Sequence, residues 1–371
     1  MIYLDYNAST PVDPAVREAM LPFLGDMYGN PTSNHAIGLR VRDAVEKARA
    51  QVAELIGASP REILFTSSGT ESNNHVIKGV AHTLRERGKH IITSAVEHPA
   101  VINPCHFLEH YGYEISYVPV DKHGLIDPMS VAEEVRPTTI LISIMHANNE
   151  VGTIQPIAEI AELAREGGIW MHTDIAQSCG KIAARVDELG VDFLSIAGHK
   201  LYAPQGVGAL YIRKGISIEP LLHGAGHENG RRAGTSAVAA IVGLGAAAEL
   251  AAGRNETDRL QTLSARLLNR LQRDLGDQAV LLGHPTLRLP NTVAIGFRDR
   301  IGAEILAKCP QLCASTGAAC HHTARKRSAT LAAMDVPESI AFGAIRFSLG
   351  HHTTAEEIDE ATAKIVRAVR S

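Results

Sequence analysis

The feature that most constrains the fold is an alternation of short apolar runs with helical patterns between about Ala15 and Ala252. Ala36–Ile56 has helical periodicity and precedes the first run, and helical stretches such as Ile157–Arg165 lie between several of the runs. The runs are Ile63–Phe65, His90–Ser94, Ile115–Val120, Thr139–Met145, Ile169–His172, Phe193–Ile196 and Val207–Ile212. This order predicts an α/β fold in which helices cover both faces of a doubly wound, mostly parallel sheet.

The pattern changes after Gly253, and the remaining chain predicts a smaller α+β domain. Its predicted elements are a long amphipathic helix, two strands and a final helix that opens with a capping box: Thr257–Leu275, Val293–Phe297, Ile345–Ser348 and Thr354-x-x-Glu357. A chain of 371 residues also exceeds the usual size of a single core. We therefore predict a large domain over residues 14–253 and a small domain over residues 254–371, against which residues 1–13 pack.

Composition and charge exclude several classes of protein. A net charge of -4 gives no electrostatic attraction to nucleic acid or to an anionic membrane. The uncharged run Ala233–Ala248 is short and rich in Gly and Ala, so it predicts a buried helix and no membrane span. The first residues, MIYLDYNASTPVD, lack the pattern of a signal peptide, and the five cysteines follow no disulfide spacing. We therefore expect reduced thiols and a cytoplasmic location.

Polar residues follow the ends of five predicted strands. These sets are Thr66–Ser72, Glu97 with His98, Asn148 with Asn149, Asp174 with Gln177, and Gly198-His199-Lys200. In an open parallel sheet, ligands bind beyond the carboxyl ends of the strands. Five polar sets at one edge therefore predict a single pocket.

Each set also has a simpler interpretation. Thr66–Ser72 is either an ordinary loop with a helix cap or a cradle of backbone N–H groups for an anion. Asp174 is either a helix cap or a buried carboxylate that needs a cationic partner. Lys200 is either a solvated lysine or a pocket amine. His98 either caps a helix or fills the core, or its ring stacks on a flat ligand.

An anion cradle, a buried aspartate and a pocket lysine together fit pyridoxal 5'-phosphate. This cofactor carries a phosphate, a pyridine nitrogen that gains from a carboxylate partner, and an aldehyde that condenses with a lysine amine. Burial that lowers the pKa of the lysine would favour the free amine that this condensation requires.

The sequence resembles the cysteine desulfurase and selenocysteine lyase family of pyridoxal phosphate enzymes, whose fold is the fold type I transferase. The resemblance covers essentially the whole chain. Its motifs are LDYNASTPVDP, GNPTSNH, FTSSGTESNN, VEH, MHANNEVG, HTDIAQSCGK, GHKLYAPQGVGALY, RRAGT, STGAAC and IRFSLG.

The resemblance implies a role for each matching residue. Lys200 is expected to bind the cofactor aldehyde and move protons, Asp174 to pair with the ring nitrogen, and His98 to stack on the ring and assist proton transfer. The further cofactor-binding residues are Gly69, Thr70, Asn149, Gln177, His199 and Thr235. Substrate binding falls to Asn7, Asn149 and Arg346, with Arg346 on the substrate carboxylate. Thr235 is expected to reach the phosphate of a neighbouring subunit, which implies a homodimer with shared sites.

Three departures from the family pattern stand out. Ala197 occupies the position where desulfurases commonly have a serine that contacts the phosphate. Residues 325–331 read RKRSATL, and the spelling around Cys320 is closer to that of animal selenocysteine lyases. The chain stops at Ser371, without the tail that housekeeping desulfurases use to dock an iron–sulfur scaffold protein, so this partner is not expected.

Cys320 matches the mobile cysteine of the family and is predicted to be the nucleophile that takes sulfur as a persulfide. A metal site built from Cys309, Cys313, Cys320 and the histidines after it is the first alternative, although the spacing fits no standard zinc pattern. A buried filler role is the second. His321, His322 and Arg325-Lys-Arg327 either lower the thiol pKa or are solvated loop charges.

The predicted activity is conversion of L-cysteine to L-alanine, with the Cys320 persulfide passed to an acceptor protein. The first alternative is a selenocysteine lyase that releases selenium from L-selenocysteine and also yields L-alanine. A class V aminotransferase, which needs no cysteine, and a metal-binding Cys/His protein rank lower. No nucleic acid, membrane or resident metal is expected.

Overall fold

The computed structural model describes residues 1–316 and 327–371. Their strands are β1 (Ile2–Tyr3), β2 (Ile63–Thr66), β3 (His90–Ser94), β4 (Glu114–Val118), β5 (Thr139–Ser143), β6 (Trp170–Asp174), β7 (Phe193–Ala197), β8 (Gly208–Ile212), β9 (Ala279–Leu282), β10 (Thr292–Phe297), β11 (Leu312–Cys313) and β12 (Ala344–Ser348).

Helices separate most of these strands. They are α1 (Pro14–Met20), α2 (Ala36–Ile56), α3 (Gly69–Thr83), α4 (Pro99–Glu109), α5 (Pro128–Glu133), α6 (Ile157–Glu166), α7 (Val186–Leu189), α8 (Val238–Gly253), α9 (Thr257–Leu275), α10 (Gly302–Ala307), α11 (Ala329–Ala333), α12 (Glu338–Ala341) and α13 (Ala355–Arg370). The predicted helices Ala36–Ile56 and Thr257–Leu275 are confirmed to the residue.

The large sheet has seven strands in the order β2-β8-β7-β6-β5-β3-β4. The pairs from β7 through β6, β5 and β3 to β4 are parallel, whereas β8 runs antiparallel to both of its neighbours. Every residue of β3, β5, β7 and β8 is buried, which is typical of parallel sheets covered on both faces. The predicted α/β fold with a mostly parallel sheet is therefore confirmed.

Two apolar cores cover the two faces of this sheet. One core joins the sheet to α2, α6 and α8, and the other joins it to α3 and α4. Helices α2 and α8 pack closely, because a Cβ atom at Gly245 would lie 2.6 Å from the Ala48 Cβ. Helix α8 begins at Val238, so the uncharged run that starts at Ala233 is helical only in its later part.

A third core lies around the small antiparallel sheet β12-β10-β9. Helix α9 turns leucines toward it at Leu260, Leu263, Leu267, Leu271 and Leu275, a spacing that gives an amphipathic helix one apolar face. Each fully buried leucine side chain stabilises the fold by about 1.5–3 kcal/mol. The final helix α13 opens with the predicted capping box between Thr354 and Glu357.

The first residues of the chain join this third core. Strand β1 pairs in parallel with β11, and Ile2 and Leu4 are buried beside residues of α9 and α13. A further cluster connects Val151, which follows β5 in the chain, with Leu282 and Ala294 of the small sheet. The division into domains at residue 253 remains a prediction.

Within the described residues, no helix is both long enough and apolar enough to cross a membrane.

Candidate active site

A cavity of about 280 Å³ lies at the carboxyl end of the parallel strands. It is lined by Asn7, Ala8, Ser68, Gly69, Thr70, Asn73, His98, Ala100, Met145, Ala147, Asn149, Asp174, Ala176, Gln177, Ala197, His199, Lys200 and Arg346. The structure thus brings together residues from each of the five predicted polar sets, whereas Glu97 and Asn148 do not line the cavity. Among the predicted site residues, Thr235 is exposed and lies outside this cavity, and Cys320 lies outside the described residues.

Lys200 reaches the cavity from a short 3₁₀ turn, Gly198–Lys200, that directly follows β7. Gly198 permits this tight turn, because a Cβ atom there would lie 2.8 Å from the Val207 carbonyl oxygen. Burial of Lys200 lowers the pKa of its amine, and the nearby charge of Asp174 opposes that shift. A buried amine with a lowered pKa is suited to act as a nucleophile or a base.

Asp174 ends β6 and is 7% exposed. Its Oδ1 accepts a hydrogen bond from the Ala176 backbone N–H at 2.8 Å, and its Oδ2 accepts one from Asn73 Nδ2 at 2.8 Å. Asp174 therefore does not cap a helix, and no cation within the described residues forms an ion pair with it. The carboxylate is held by two neutral donors, which leaves its charge available for a cationic group in the cavity.

The Thr66–Ser72 segment is both a helix cap and a candidate cradle. Ser68 Oγ accepts a hydrogen bond from the Glu71 N–H and caps α3. The first N–H groups of a helix have no partner within the helix, and those of Gly69 and Thr70 stand at the wall of the cavity. A Cβ atom at Gly69 would lie 3.2 Å from Ala197 Cβ, so the cradle and the end of β7 are close neighbours.

His98 likewise serves two purposes. Its Nδ1 accepts a hydrogen bond from the Ala100 N–H at 3.0 Å and caps α4, while its ring lines the cavity. An accepting Nδ1 assigns the proton of the neutral ring to Nε2. Burial lowers the pKa of His98 and favours this neutral form, which either donates or accepts a proton through Nε2.

Gln177 and His199 both line the cavity. Gln177 Nε2 donates to the Asn7 carbonyl at 3.1 Å, and its Oε1 is buried without a hydrogen-bond partner. His199 follows Gly198 in the turn, where its Nδ1 is 3.4 Å from Ser9 Oγ. Burial lowers the pKa of His199, so the neutral ring is favoured beside Lys200.

Arg346 lies on β12 and enters the cavity from the small sheet. Its Nη2 forms an ion pair with Asp5 Oδ1 at 2.7 Å, and its Nη1 donates to the Asn149 carbonyl at 2.9 Å. Its Nε is buried without a partner. Asn7 lies beside this group, where its Nδ2 contacts Thr292 Oγ1 at 2.9 Å and the Asn149 carbonyl at 3.3 Å. The guanidinium is thus fixed at the edge of the cavity, where a carboxylate ligand would meet it.

Two residues of the site were missed by the sequence analysis. Asp5 belongs to the motif LDYNASTPVDP, but only Asn7 of that segment was assigned a role. Asn73 lies four residues after Gly69 on α3, so helical periodicity places it on the face that carries the cradle. This spacing is a signal that could have identified Asn73, whereas no local pattern connects Asp5 with a residue 341 positions away.

The residues present fit pyridoxal phosphate. The cradle of Gly69 and Thr70 provides free N–H groups for a phosphate, and Asp174 is a buried carboxylate without a cationic protein partner. Gln177 Oε1 and Arg346 Nε are buried polar atoms whose hydrogen bonds are unmade in the protein alone. Among the described residues, no group of three or more His, Cys, Asp and Glu is placed to hold a metal ion. The alternative metal site involves Cys320, His321 and His322, which lie outside those residues.

An α/β fold with a lysine and an aspartate at the carboxyl edge of its sheet defines a class of candidate cofactor-dependent enzymes, and comparison with known proteins identifies the family. The model of the family "Aminotransferase class-V" matches residues 2–361. The chain is 50% identical over 362 residues to "Cysteine desulfurase IscS" of Dictyoglomus turgidum, which covers 96% of this chain and 92% of that protein. The chain belongs to the cysteine desulfurase family of class-V aminotransferase enzymes.

Solved structures agree with this assignment. A NifS-like protein superposes with a TM-score of 0.92 at 38% identity and covers 99% of this chain and 98% of its own. The structure titled "SspA in complex with cysteine" superposes with a TM-score of 0.83 at 36% identity and covers 94% of this chain and 99% of its own.

Proposed function

We propose that this protein is a pyridoxal phosphate-dependent cysteine desulfurase that converts L-cysteine to L-alanine and transfers the sulfur to Cys320. The observation that carries the proposal is the convergence of Lys200, Asp174, His98 and Arg346 in one cavity of about 280 Å³. Relatives named cysteine desulfurase support this reaction, and the structurally similar SspA was solved in complex with cysteine.

The residues around the cavity divide between cofactor and substrate. Gly69, Thr70 and His199 would hold the phosphate, with Thr235 of a neighbouring subunit in a homodimer. Asp174 and Gln177 would hold the ring, and Asn149 would lie beside it. Arg346 would bind the substrate carboxylate next to Asn7. The bound cofactor withdraws electrons from the substrate α-carbon, which makes the α-proton acidic.

The protein side chains then move protons. Lys200 Nζ would take the α-proton, because burial favours the neutral amine that accepts it. Asp174 would hold a proton at the ring nitrogen, and His98 Nε2 would assist proton transfer. Cys320 as a thiolate would attack the substrate sulfur and form a sulfur–sulfur bond while the carbon–sulfur bond breaks. The electron pair of the broken bond stays with the substrate β-carbon, which takes a proton and leaves as alanine, and Cys320 keeps the sulfur as a persulfide. An acceptor protein then removes that sulfur.

Selenocysteine is the alternative substrate, and the specific observation that favours it is the sequence Ala-Ser-Thr-Gly-Ala-Ala-Cys-His around Cys320. This segment resembles the corresponding segment of animal selenocysteine lyases. We propose a cytoplasmic location for the protein. We also propose a division into two domains after residue 253. These assignments rest on the sequence.

The experiment that tests the proposal compares alanine formation from L-cysteine and L-selenocysteine by the purified, cofactor-loaded enzyme. Alanine from cysteine, at a rate at least comparable with that from selenocysteine, supports the desulfurase. Pyruvate in place of alanine would indicate an aminotransferase. Lys200→Ala should lose the visible absorbance of the bound cofactor together with activity, and an unchanged spectrum would exclude Lys200 as the attachment point.

A further inference from the structure

Asn73 is the one side chain of the described protein that donates a hydrogen bond to Asp174. It lies on α3, four residues after Gly69, and its Nδ2 is 2.8 Å from Asp174 Oδ2. Asn73 is 1% exposed and Asp174 is 7% exposed, so water does not substitute for this contact. The amide orientation is fixed by chemistry, because the reversed amide would set Asn73 Oδ1 against a carboxylate oxygen.

The same orientation leaves Asn73 Oδ1 buried without a partner. A buried acceptor that makes no hydrogen bond destabilises the fold, whereas the hydrogen bond that the same amide donates to a carboxylate offsets that cost. The contact with Asp174 therefore explains the asparagine at this position.

The two hydrogen bonds to Asp174 act on different oxygens. The Ala176 N–H binds Oδ1 and Asn73 binds Oδ2, so together they fix the plane of the carboxylate. The other ionisable groups that interact with Asp174 across the site are Lys200, His98, Glu97 and His172.

We propose that Asn73 is a positioning residue that fixes the plane of the Asp174 carboxylate, and that Asp174 thereby holds the proton on the ring nitrogen of bound pyridoxal phosphate. The proposal rests on the proposed cofactor. Without the Asn73 donor, Asp174 Oδ2 has lost the side-chain contact that orients it, and the carboxylate can turn away from the ring nitrogen. The ring nitrogen then loses its proton more readily.

The test is Asn73→Leu, which removes the donor with little change in volume. Wild-type and variant proteins are loaded with ¹⁵N-labelled pyridoxal phosphate, and the ring-nitrogen chemical shift is recorded. We expect a pyridinium shift in the wild type and a move toward the neutral pyridine value in the variant. In turnover, kcat with cysteine should fall by about tenfold or more while KM changes little, because the substrate contacts are intact.

The matched control is Asn74→Leu, the same substitution at the next residue. The Asn74 side chain donates to the Thr70 carbonyl within its own helix and does not contact Asp174. Its ring-nitrogen shift should equal that of the wild type. Loss of the pyridinium shift in both variants would indicate a general disturbance of α3 and would overturn the proposal.

Asn73→Asp gives a second and independent measure, because its side chain has the size of asparagine. When protonated, the introduced carboxyl donates to Asp174, and when ionised it repels Asp174. The pyridinium shift should therefore be present at low pH and disappear as the pH rises, unlike the shift of the wild type. If Asn73→Leu does not bind the cofactor, the pH dependence of the ring-nitrogen shift in Asn73→Asp provides the test.

A pyridinium shift that persists in Asn73→Leu, or that shows no pH dependence in Asn73→Asp, overturns the inference. These outcomes are distinct from failure of the proposed function. In that case the wild-type protein itself would bind no pyridoxal phosphate, and no ring-nitrogen signal would exist to compare.

Discussion

Arg346 and Asp5 form an ion pair at 2.7 Å between residues that are 341 positions apart in the chain. The Arg346 side chain is 7% exposed and that of Asp5 is 23% exposed, so the pair is largely shielded from water. Because Nη1 is held by the Asn149 carbonyl at the same time, the plane of the guanidinium is fixed before a substrate arrives. Strand β12, the N-terminal segment and the loop after β5 thus meet at one side chain.

The first prediction follows from this pair. Asp5→Ala should weaken binding of the substrate carboxylate, because Arg346 loses the contact that orients it. A hydrogen bond to a charged group contributes about 1.5–3 kcal/mol, so KM for cysteine should rise by roughly tenfold or more, with a smaller change in kcat. Steady-state kinetics measure both constants.

Asp5→Asn is the graded comparison, since its amide oxygen still accepts a hydrogen bond but carries no charge. Its KM should fall between those of the wild type and Asp5→Ala. An unchanged KM in both variants would show that Arg346 is oriented without Asp5, or that it does not bind the substrate.

The second prediction concerns Lys181, whose Nζ is buried without a hydrogen-bond partner. Burial, together with the charges of Lys200 and Arg346, lowers the pKa of Lys181 to about 7. The unfolded chain therefore takes up this proton at a higher pH than the folded protein does. Stability is lost as the pH falls from about 10.5 to about 7, and the loss is constant below that.

Lys181→Met removes this penalty while it keeps an apolar stem of similar length. At pH 7 its free energy of unfolding should exceed that of the wild type by about 1–3 kcal/mol, and the difference should shrink toward pH 10. Denaturant unfolding at the two pH values measures it. The exposed Lys47→Met on α2 is the control and should show no such pH dependence.

The elements of this fold are largely readable from the sequence, because each follows from a local pattern. Helix α2 ends at Gly57 in the left-handed conformation, and α13 begins with a capping box, so their ends agree with the prediction. The start of α8 was placed too early, because Ala233–Ala237 is uncharged but not helical. An absence of charge does not distinguish a loop from a helix.

The site is only partly readable in this way. Polar residues after successive parallel strands predict the cavity, because strand ends of a parallel sheet share one edge. The contacts Asp174–Asn73 and Arg346–Asp5 join residues 101 and 341 positions apart. Helical spacing from Gly69 places Asn73 near the cavity, but no spacing identifies Asp174 as its partner or pairs Asp5 with Arg346. Such contacts depend on the packing of α3 on the large sheet and of residues 1–13 on the small one.

The third prediction concerns Ala197, which lines the cavity where similar enzymes commonly have serine. The close approach of Ala197 to Gly69 places a hydroxyl at this position beside the first N–H groups of α3. Ala197→Ser should therefore add one hydrogen bond to the cofactor phosphate, worth about 0.5–1.5 kcal/mol, and lower the Kd for pyridoxal phosphate by about two- to tenfold. Absorbance titration of the apoprotein measures the Kd.

Inorganic phosphate provides the control for this variant, because it occupies the cradle without the ring. If the hydroxyl donates to the cofactor phosphate, inorganic phosphate should also bind more tightly to Ala197→Ser than to the wild type and compete better with the cofactor. A higher Kd for both ligands in Ala197→Ser than in the wild type would indicate that the hydroxyl crowds Gly69 and does not donate to the phosphate.

The last prediction concerns Cys320, whose role rests on the sequence. Cys320→Ala should still bind the cofactor and remove the α-proton of cysteine, because these steps belong to Lys200 and Asp174. Without the thiolate, sulfur has no acceptor, so the carbon–sulfur bond does not break productively and little alanine forms. Solvent deuterium incorporation at the α-carbon, measured by mass spectrometry, should continue while alanine formation from cysteine stops.

The wild-type protein supplies the complementary measurement. After a pulse of cysteine, mass spectrometry of the peptides should find one additional sulfur atom on Cys320 and none on the buried Cys105 or Cys179, where burial raises the pKa of each thiol to about 12. Alanine formation from selenocysteine by Cys320→Ala should be measured as well, because the weaker carbon–selenium bond can break without a thiolate. An unmodified Cys320, together with continued alanine formation from selenocysteine, would identify the protein as a selenocysteine lyase.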